Sequence, residues 1–347
     1  MASGTLRRVA LAALPWIAVL LQGGCADAPT RPVAPVPTPV AAALAAEVAR
    51  DDDFVLVRAA PGDTAATLAQ RYLGDREKAF WIVERNGGTE VTAGEIVAIP
   101  RRSQNPAGVE SGGFQAVPIL CYHRFGPRAA PLTVTPAAFE AQMAYLARNG
   151  YTVIPVARLA AFLQGELPLP KKTVAITIDD GYRSTYDIAF PILARHGFPA
   201  TLFLYSDFVG AGDALSWAQM KEMQASGIVD VQPHSKTHTN LTQKLPGETD
   251  AQYRDRLRRE IDAPVRAIHD RLATASTVFA YPYGDVNDAV VAQLQRRELG
   301  FGVTVTPGGN GFFAYPFYLR RSMVYGTDSL DAFKAKLATF VAHPARP

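Results

Sequence analysis

From residue 117 onward, short apolar runs alternate with amphipathic stretches. VPILCYH, YTVIP, TVAITIDD, ATLFLYS, IVDVQPH, TVFAYP, GVTVT and FYLRRSMVY read as strands. PAAFEAQMAYLARNG, VARLAAFLQG, STYDIAFPILARHG, SWAQMKEMQASG, roughly 249–272, NDAVVAQLQRRELG and SLDAFKAKLATFV carry helical periodicity. Thr135 before Pro136 and Gly150 after the first helix are start and stop signals. Strands this continuously apolar are covered on both faces, which calls for a parallel sheet. Seven or eight β/α units in about 225 residues predict an α/β fold, a distorted (β/α) barrel over 117–343. Functional side chains then belong at the C-terminal ends of the strands.

A smaller pattern precedes the barrel. Over 53–101, FVLV predicts a strand and Pro61-Gly62-Asp63 a turn, with Asp63 or Thr64 capping a helix that carries Leu68 and Tyr72. A second helix carries Phe80, Trp81 and Val83 and stops at Asn86-Gly87-Gly88, and EIVAIP closes the unit as a strand. This βααβ order, with PGDT after the first strand and a final Ile-Pro, resembles a LysM domain. The resemblance implies binding of N-acetylglucosamine-containing glycans, with Gly62, Asp63, Thr64 and Asn86 near the sugar. Residues 102–116 are polar and Gly-rich and predict a linker.

Residues 1–25 stand outside this patterning. Arg7 and Arg8 precede VALAALPWIAVLL, an apolar core of signal-peptide length, and LLQGGC leads to Cys25. The stretch resembles a bacterial lipoprotein signal, which implies export to the cell envelope and a lipid anchor in a membrane. Residues 26–52 predict a second linker, because the five prolines between Pro29 and Pro39 favour an extended tether. Cys121 is the only other cysteine, so there is no disulfide framework, and its apolar run suits a buried thiol. A formal charge of +3 over 347 residues, without basic clusters, argues against nucleic acid as a partner.

The chemistry concentrates at strand ends. TVAITIDDG finishes an apolar strand with Asp179 and Asp180, two like charges that call for a nearby cation. IVDVQPHSKTH places His234 and His238 four apart, on one face if the segment is a helical turn. One carboxylate and two imidazoles make a three-ligand site suited to Zn²⁺, and also to Fe, Co or Ni. The second carboxylate is then free to act as a general base. His196, His269 and His343 lie in helix-end, charged-helix and tail contexts and read as structural.

TIDDG together with HSKTH resembles the polysaccharide deacetylases of carbohydrate esterase family 4, the NodB-homology domain. The resemblance implies Asp179 as base and Asp180, His234 and His238 as metal ligands. AYPYG at 280–284 matches part of a third motif and implies that Pro282 and Tyr283 lie against substrate, with the Tyr283 N–H on the oxyanion. Ala280 replaces the arginine that pairs with the base in the family; Arg320 or Arg321 is the candidate replacement. The late Leu-x-His general acid is absent, and His123, at the end of ILCYH, is the candidate acid. The early His and FAYPYG resemble the branch acting on poly-N-acetylglucosamine of biofilm matrices. Trp217, opening a helix, is either an acetyl-pocket wall or a core aromatic. The expected activity is metal-dependent N-deacetylation of N-acetylglucosamine polysaccharide; the alternatives are an O-acetyl esterase on polysaccharide and a glycan-binding lipoprotein of weak activity.

Overall fold

The computed structural model describes residues 45–88 and 90–343; the signal and lipid-anchor reading of 1–25 and most of the 26–52 linker lie outside them. The chain enters through β1 (Ala46–Arg50), which pairs antiparallel with β2 (Phe54–Arg58). β1 falls inside the segment read as a linker, because its side chains are all exposed and give no apolar alternation. Two helices follow, α1 (Ala65–Leu73) and α2 (Ala79–Asn86), and β3 (Ile96–Pro100) returns antiparallel to β2. The βααβ order is therefore observed, with β1 added at one edge. Thr64 caps α1 in a reciprocal box with Thr67. Val55, Val57, Leu68, Ile82, Val97 and Ile99 form the core of this small module.

The second predicted linker is in part a hairpin. β4 (Val109–Glu110) and β5 (Gly113–Gln115) pair, and β17 (Phe340–Ala342), from the end of the chain, adds to β5. The last predicted helix is thus cut short: α9 spans Leu330–Lys334 and the terminal FVA is extended.

The barrel strands are β6 (Val117–Tyr122), β9 (Thr152–Ile154), β10 (Thr173–Asp180), β11 (Ala200–Leu204) and β12 (Val229–Pro233), paired in parallel around β10, with β7 (Arg124–Phe125) and β8 (Thr133–Val134) forming a small side pair. β13 (Val278–Ala280) and β14 (Phe301–Val303) make a separate parallel pair. β15 (Gly309–Asn310) runs antiparallel to the start of β6, and β16 (Ser322–Met323) parallel to its end. The ring is open between β12 and β13. There the Gln232 side-chain oxygen accepts from the N–H groups of Thr277 (2.8 Å) and Val278 (3.1 Å). Of FYLRRSMVY only Ser322–Met323 is ladder strand, and Pro316–Tyr318 is a helical turn.

Helices α3 (Pro136–Arg148), α4 (Leu159–Leu163), α5 (Phe190–His196), α6 (Trp217–Ala225), α7 (Asp250–Leu272) and α8 (Asp288–Arg296) cover the sheet. Successive strand residues face opposite sides. Leu120, Ile176, Ile178, Leu202 and Leu204 join the larger apolar cluster with α3, α5 and α6, whereas Val117, Ile119, Ala175, Phe203 and Leu319 join a second cluster with β13 and β14, on the barrel's inside. This parity carries Cys121, His123, Thr177, Asp179 and Arg321 to the inside. Among the described residues no helix is long and apolar enough to cross a membrane.

Candidate metal and catalytic site

Asp179 continues the inward series Ala175, Thr177. Arg321 continues that of Leu319, and the two meet in a buried bidentate pair: Nη1 to Oδ1 2.6 Å and Nη2 to Oδ2 2.8 Å. Arg321 is fully buried; it also donates to Thr304 O (2.8 Å) and Thr177 Oγ1 (3.2 Å) and lies over the Phe203 ring. The choice between Arg320 and Arg321 therefore falls on Arg321. Burial alone would raise the Asp179 carboxyl, but the Arg321 guanidinium paired with it holds it well below the usual carboxylate range. The Cys121 thiol donates to Asp179 Oδ2 at 3.4 Å.

Asp180 has the opposite parity and a left-handed backbone, φ 78°. Gly181 follows at φ 93°, where an added β carbon would lie 2.6 Å from Leu204 Cδ1. Asp180 Oδ1 faces His238 Nε2 at 3.4 Å and His234 Nε2 at 3.7 Å. Of the six non-glycine residues with positive φ among those described, four (Asp180, Ser235, His238 and Tyr283) belong to this site or the loops that build it. Such backbone strain is commonly held where a site requires it.

The two histidines do not sit on a helix. Residues 234–240 form a loop, with Ser235 at φ 72° and His238 at φ 60°. The loop is held from α7: Glu260 accepts from the N–H groups of Lys236 (3.1 Å) and Thr237 (2.9 Å) and from the Thr237 hydroxyl (3.0 Å). The His234 Nδ1–H donates to Ala280 O at 2.8 Å, which leaves Nε2 as the lone-pair nitrogen facing the carboxylates. Burial pushes His234 down to about 3 and also lowers His238, so both imidazoles are neutral. Burial pushes Asp180 up to about 6.

A divalent ion fits this donor set. Ligand atoms of Asp180, His234 and His238 lie within 4.8 Å of one another, and Asp180 Oδ1 is buried without a hydrogen-bond partner. The 3.4 and 3.7 Å gaps are too long for hydrogen bonds but suit donors sharing an ion with bonds of about 2.0–2.2 Å. A second group within 4.8 Å joins Cys121, His123 and Asp179, and His123 Nδ1 is likewise buried and unpartnered.

Tyr283 sits on the 282–284 turn at φ 62°, its exposed ring 4.9 Å from that of His238, while Pro282 is buried. Tyr205 flanks His238 from the other strand end at 5.3 Å and stacks on Phe208. Trp217 opens α6 and packs against the larger apolar cluster. In the small module, Asp63 is buried and accepts from Ala60 N–H (2.8 Å) and Arg71 (3.2 Å), Thr64 is the helix cap, and Asn86 bonds Ile82 O, Ala98 O and Ala98 N–H. Glu260 and Tyr205 escaped the sequence reading, and Cys121, read as a buried thiol and found buried, was not expected beside the base. Of these only Glu260 carried a signal, an acid on the apolar face of α7 between Leu257 and Ile261.

Residues 166–302 match the polysaccharide deacetylase family model. The Bacillus subtilis protein YxkH is 29% identical over 219 residues, covering 63% of this chain and 75% of that protein. An Escherichia coli poly-beta-1,6-N-acetyl-D-glucosamine N-deacetylase is 27% identical over 231 residues, covering 56% of this chain but only 34% of that protein. The fold superposes on a Streptococcus pyogenes deacetylase solved with acetate, with a TM-score of 0.58 at 25% identity, covering 64% of this chain and 98% of that one. Residues 166–302 thus resemble a polysaccharide deacetylase domain, a hydrolase, and the chain has relatives named as poly-N-acetylglucosamine N-deacetylases.

Proposed function

We propose that this protein is a metal-dependent N-deacetylase of N-acetylglucosamine-containing polysaccharide, exported and lipid-anchored at the cell envelope, with the βααβ module as a LysM-like glycan-binding unit. The observation that carries the catalytic reading is the convergence of Asp180, His234 and His238 beside an ionised Asp179 paired with Arg321. Asp180, His234 and His238 would hold the ion, with Zn²⁺ the first choice. When bound, it supplies Lewis acidity, polarising the acetamide carbonyl and acidifying water.

The chain's own residues do the rest. Asp179 accepts the proton of the attacking water, and Arg321 keeps its carboxylate charged and fixed in orientation. The Tyr283 N–H, on its strained turn, donates to the oxygen that gains charge as the carbonyl carbon becomes tetrahedral. His123 delivers a proton to the leaving nitrogen, so that acetate departs and a free amine remains on the sugar. Cys121 and Thr177 pack the base and its arginine from the inside.

Acetate release from a poly-N-acetylglucosamine chain and from acetylated xylan, with and without chelator, tests this. Release from the first substrate that stops on chelation and returns with metal is expected. Release only from xylan would make the protein an O-acetyl esterase, and no release from either in any metal-loaded preparation would reduce it to a binding protein.

A further inference from the structure

The segment that delivers Arg321 inward turns its neighbour outward. Arg320 is exposed, donates to Pro307 O at 3.2 Å and lines a groove of about 510 Å³ with Phe114, Phe313, Tyr315 and Tyr318. Three of these rings are open to solvent: Phe313 at 61%, Tyr315 at 52% and Tyr318 at 42%. The Tyr315 and Tyr318 rings lie 5.7 Å apart at 32°, and Phe313 meets Phe114 edge-on at 4.8 Å. The wall between them is backbone. A β carbon on Gly311 would come within 2.9 Å of Phe313 and 3.1 Å of Phe114, so glycine is what lets the two rings lie against the chain.

The groove sits away from the catalytic centre. β15, which contributes Gly309 and Asn310 to it, pairs with Val117 and Pro118 at the start of β6. His123 follows the other end of that strand, roughly 20 Å away at about 3.3 Å per residue. None of these aromatic residues has a part in the deacetylation chemistry, and three exposed rings in six residues are more than scattered surface apolars.

The shape and chemistry select an occupant. A concave groove does not match the flat surface of a bilayer. Two tilted tyrosine faces suit the C–H faces of pyranose rings, while the Arg320 N–H groups and tyrosine hydroxyls suit sugar hydroxyls and acetamide carbonyls. We infer that this groove is a secondary binding site for the N-acetylglucosamine polymer, holding a part of the chain distant from the sugar undergoing reaction. The identity of the polymer rests on the deacetylase reading; the existence of the site does not. A second hold on a long chain raises its effective concentration at the catalytic centre, and a short oligomer that cannot reach both places gains nothing.

The test is the full-length, metal-loaded protein carrying Tyr315→Ala and Tyr318→Ala, assayed on long poly-N-acetylglucosamine and on a short chito-oligosaccharide. The KM for the long chain should rise by roughly tenfold, as loss of aromatic stacking would give, with kcat and short-oligomer turnover unchanged. An unchanged KM on the long chain, with short-oligomer turnover intact, overturns the inference. Should the double variant lose short-oligomer turnover, the single Tyr315→Ala gives the same comparison. If the wild type releases no acetate at all, the deacetylase reading fails, and affinity electrophoresis in polymer decides the groove separately. Retardation of the wild type but not of the variant supports it; equal retardation refutes it. Loss of binding to phosphatidylglycerol vesicles, with polymer binding intact, would make the groove a membrane contact and overturn the proposal.

Discussion

Asn86 in the βααβ module and Asp180 in the barrel both stand where an element ends, and both were expected to touch a ligand. Their surroundings differ in kind. The Asn86 amide is used by its own fold: it donates to Ile82 O within α2 and exchanges two hydrogen bonds with Ala98 that tie α2 to β3. Asp63 and Thr64 are used in the same way, by the turn before α1 and by its first turn. At the barrel mouth, Asp180 Oδ1 and His123 Nδ1 are buried and have no partner. A buried polar atom left unpaired costs about 1–3 kcal/mol, so a fold that retains two of them beside strained backbone is arranged for something that binds there. The lesson is that polar residues on a loop do not mark a site until their hydrogen bonds have been accounted for.

The contrast can be broken by substitution. Asp179→Asn should lower kcat by about 10²- to 10⁴-fold, the range for a lost general base, and should also lower the melting temperature, because the buried Arg321 loses its anion. A kcat within a few-fold of wild type would remove Asp179 from the mechanism. Arg321→Ala leaves Asp179 buried without its cation and should destabilise the fold by about 3–5 kcal/mol, read by denaturant unfolding, besides abolishing turnover. Glu260→Ala frees the 234–240 loop and should weaken metal binding by roughly 10- to 100-fold, as loss of an outer hydrogen-bonding partner does; competition with a chromophoric chelator would show it. Asn86→Ala belongs to the other side of the comparison. It should destabilise the small module by about 1–3 kcal/mol in thermal melts while leaving acetate release from short oligomers unaltered. If it instead changed polymer affinity with no loss of stability, Asn86 would be a sugar contact after all.

Much of the site could be read from the sequence because strand parity is local. TVAITIDD places Asp179 on the face of Ala175 and Thr177, and the same count from Leu319 selects Arg321 over Arg320. What was misread depended on contacts distant in sequence. Four-residue spacing suggested a helical turn for His234 and His238, whereas the loop is shaped by two left-handed residues and by Glu260 from another helix. The hairpin at 109–115 and the final strand form because β5 and β17 find each other across more than 200 residues, and neither carries a pattern of its own. β1, exposed throughout, is specified only by its pairing with β2.

The central claim is a division of labour between adjacent carboxylates, with Asp180 holding an ion and Asp179 leaving it free. Metal content measured by mass spectrometry on wild type, Asp179→Asn and Asp180→Asn, each loaded and desalted in parallel, tests it directly. The account predicts a comparable metal content in wild type and Asp179→Asn and a strong loss in Asp180→Asn. Metal lost from Asp179→Asn, or retained in full by Asp180→Asn, would contradict it.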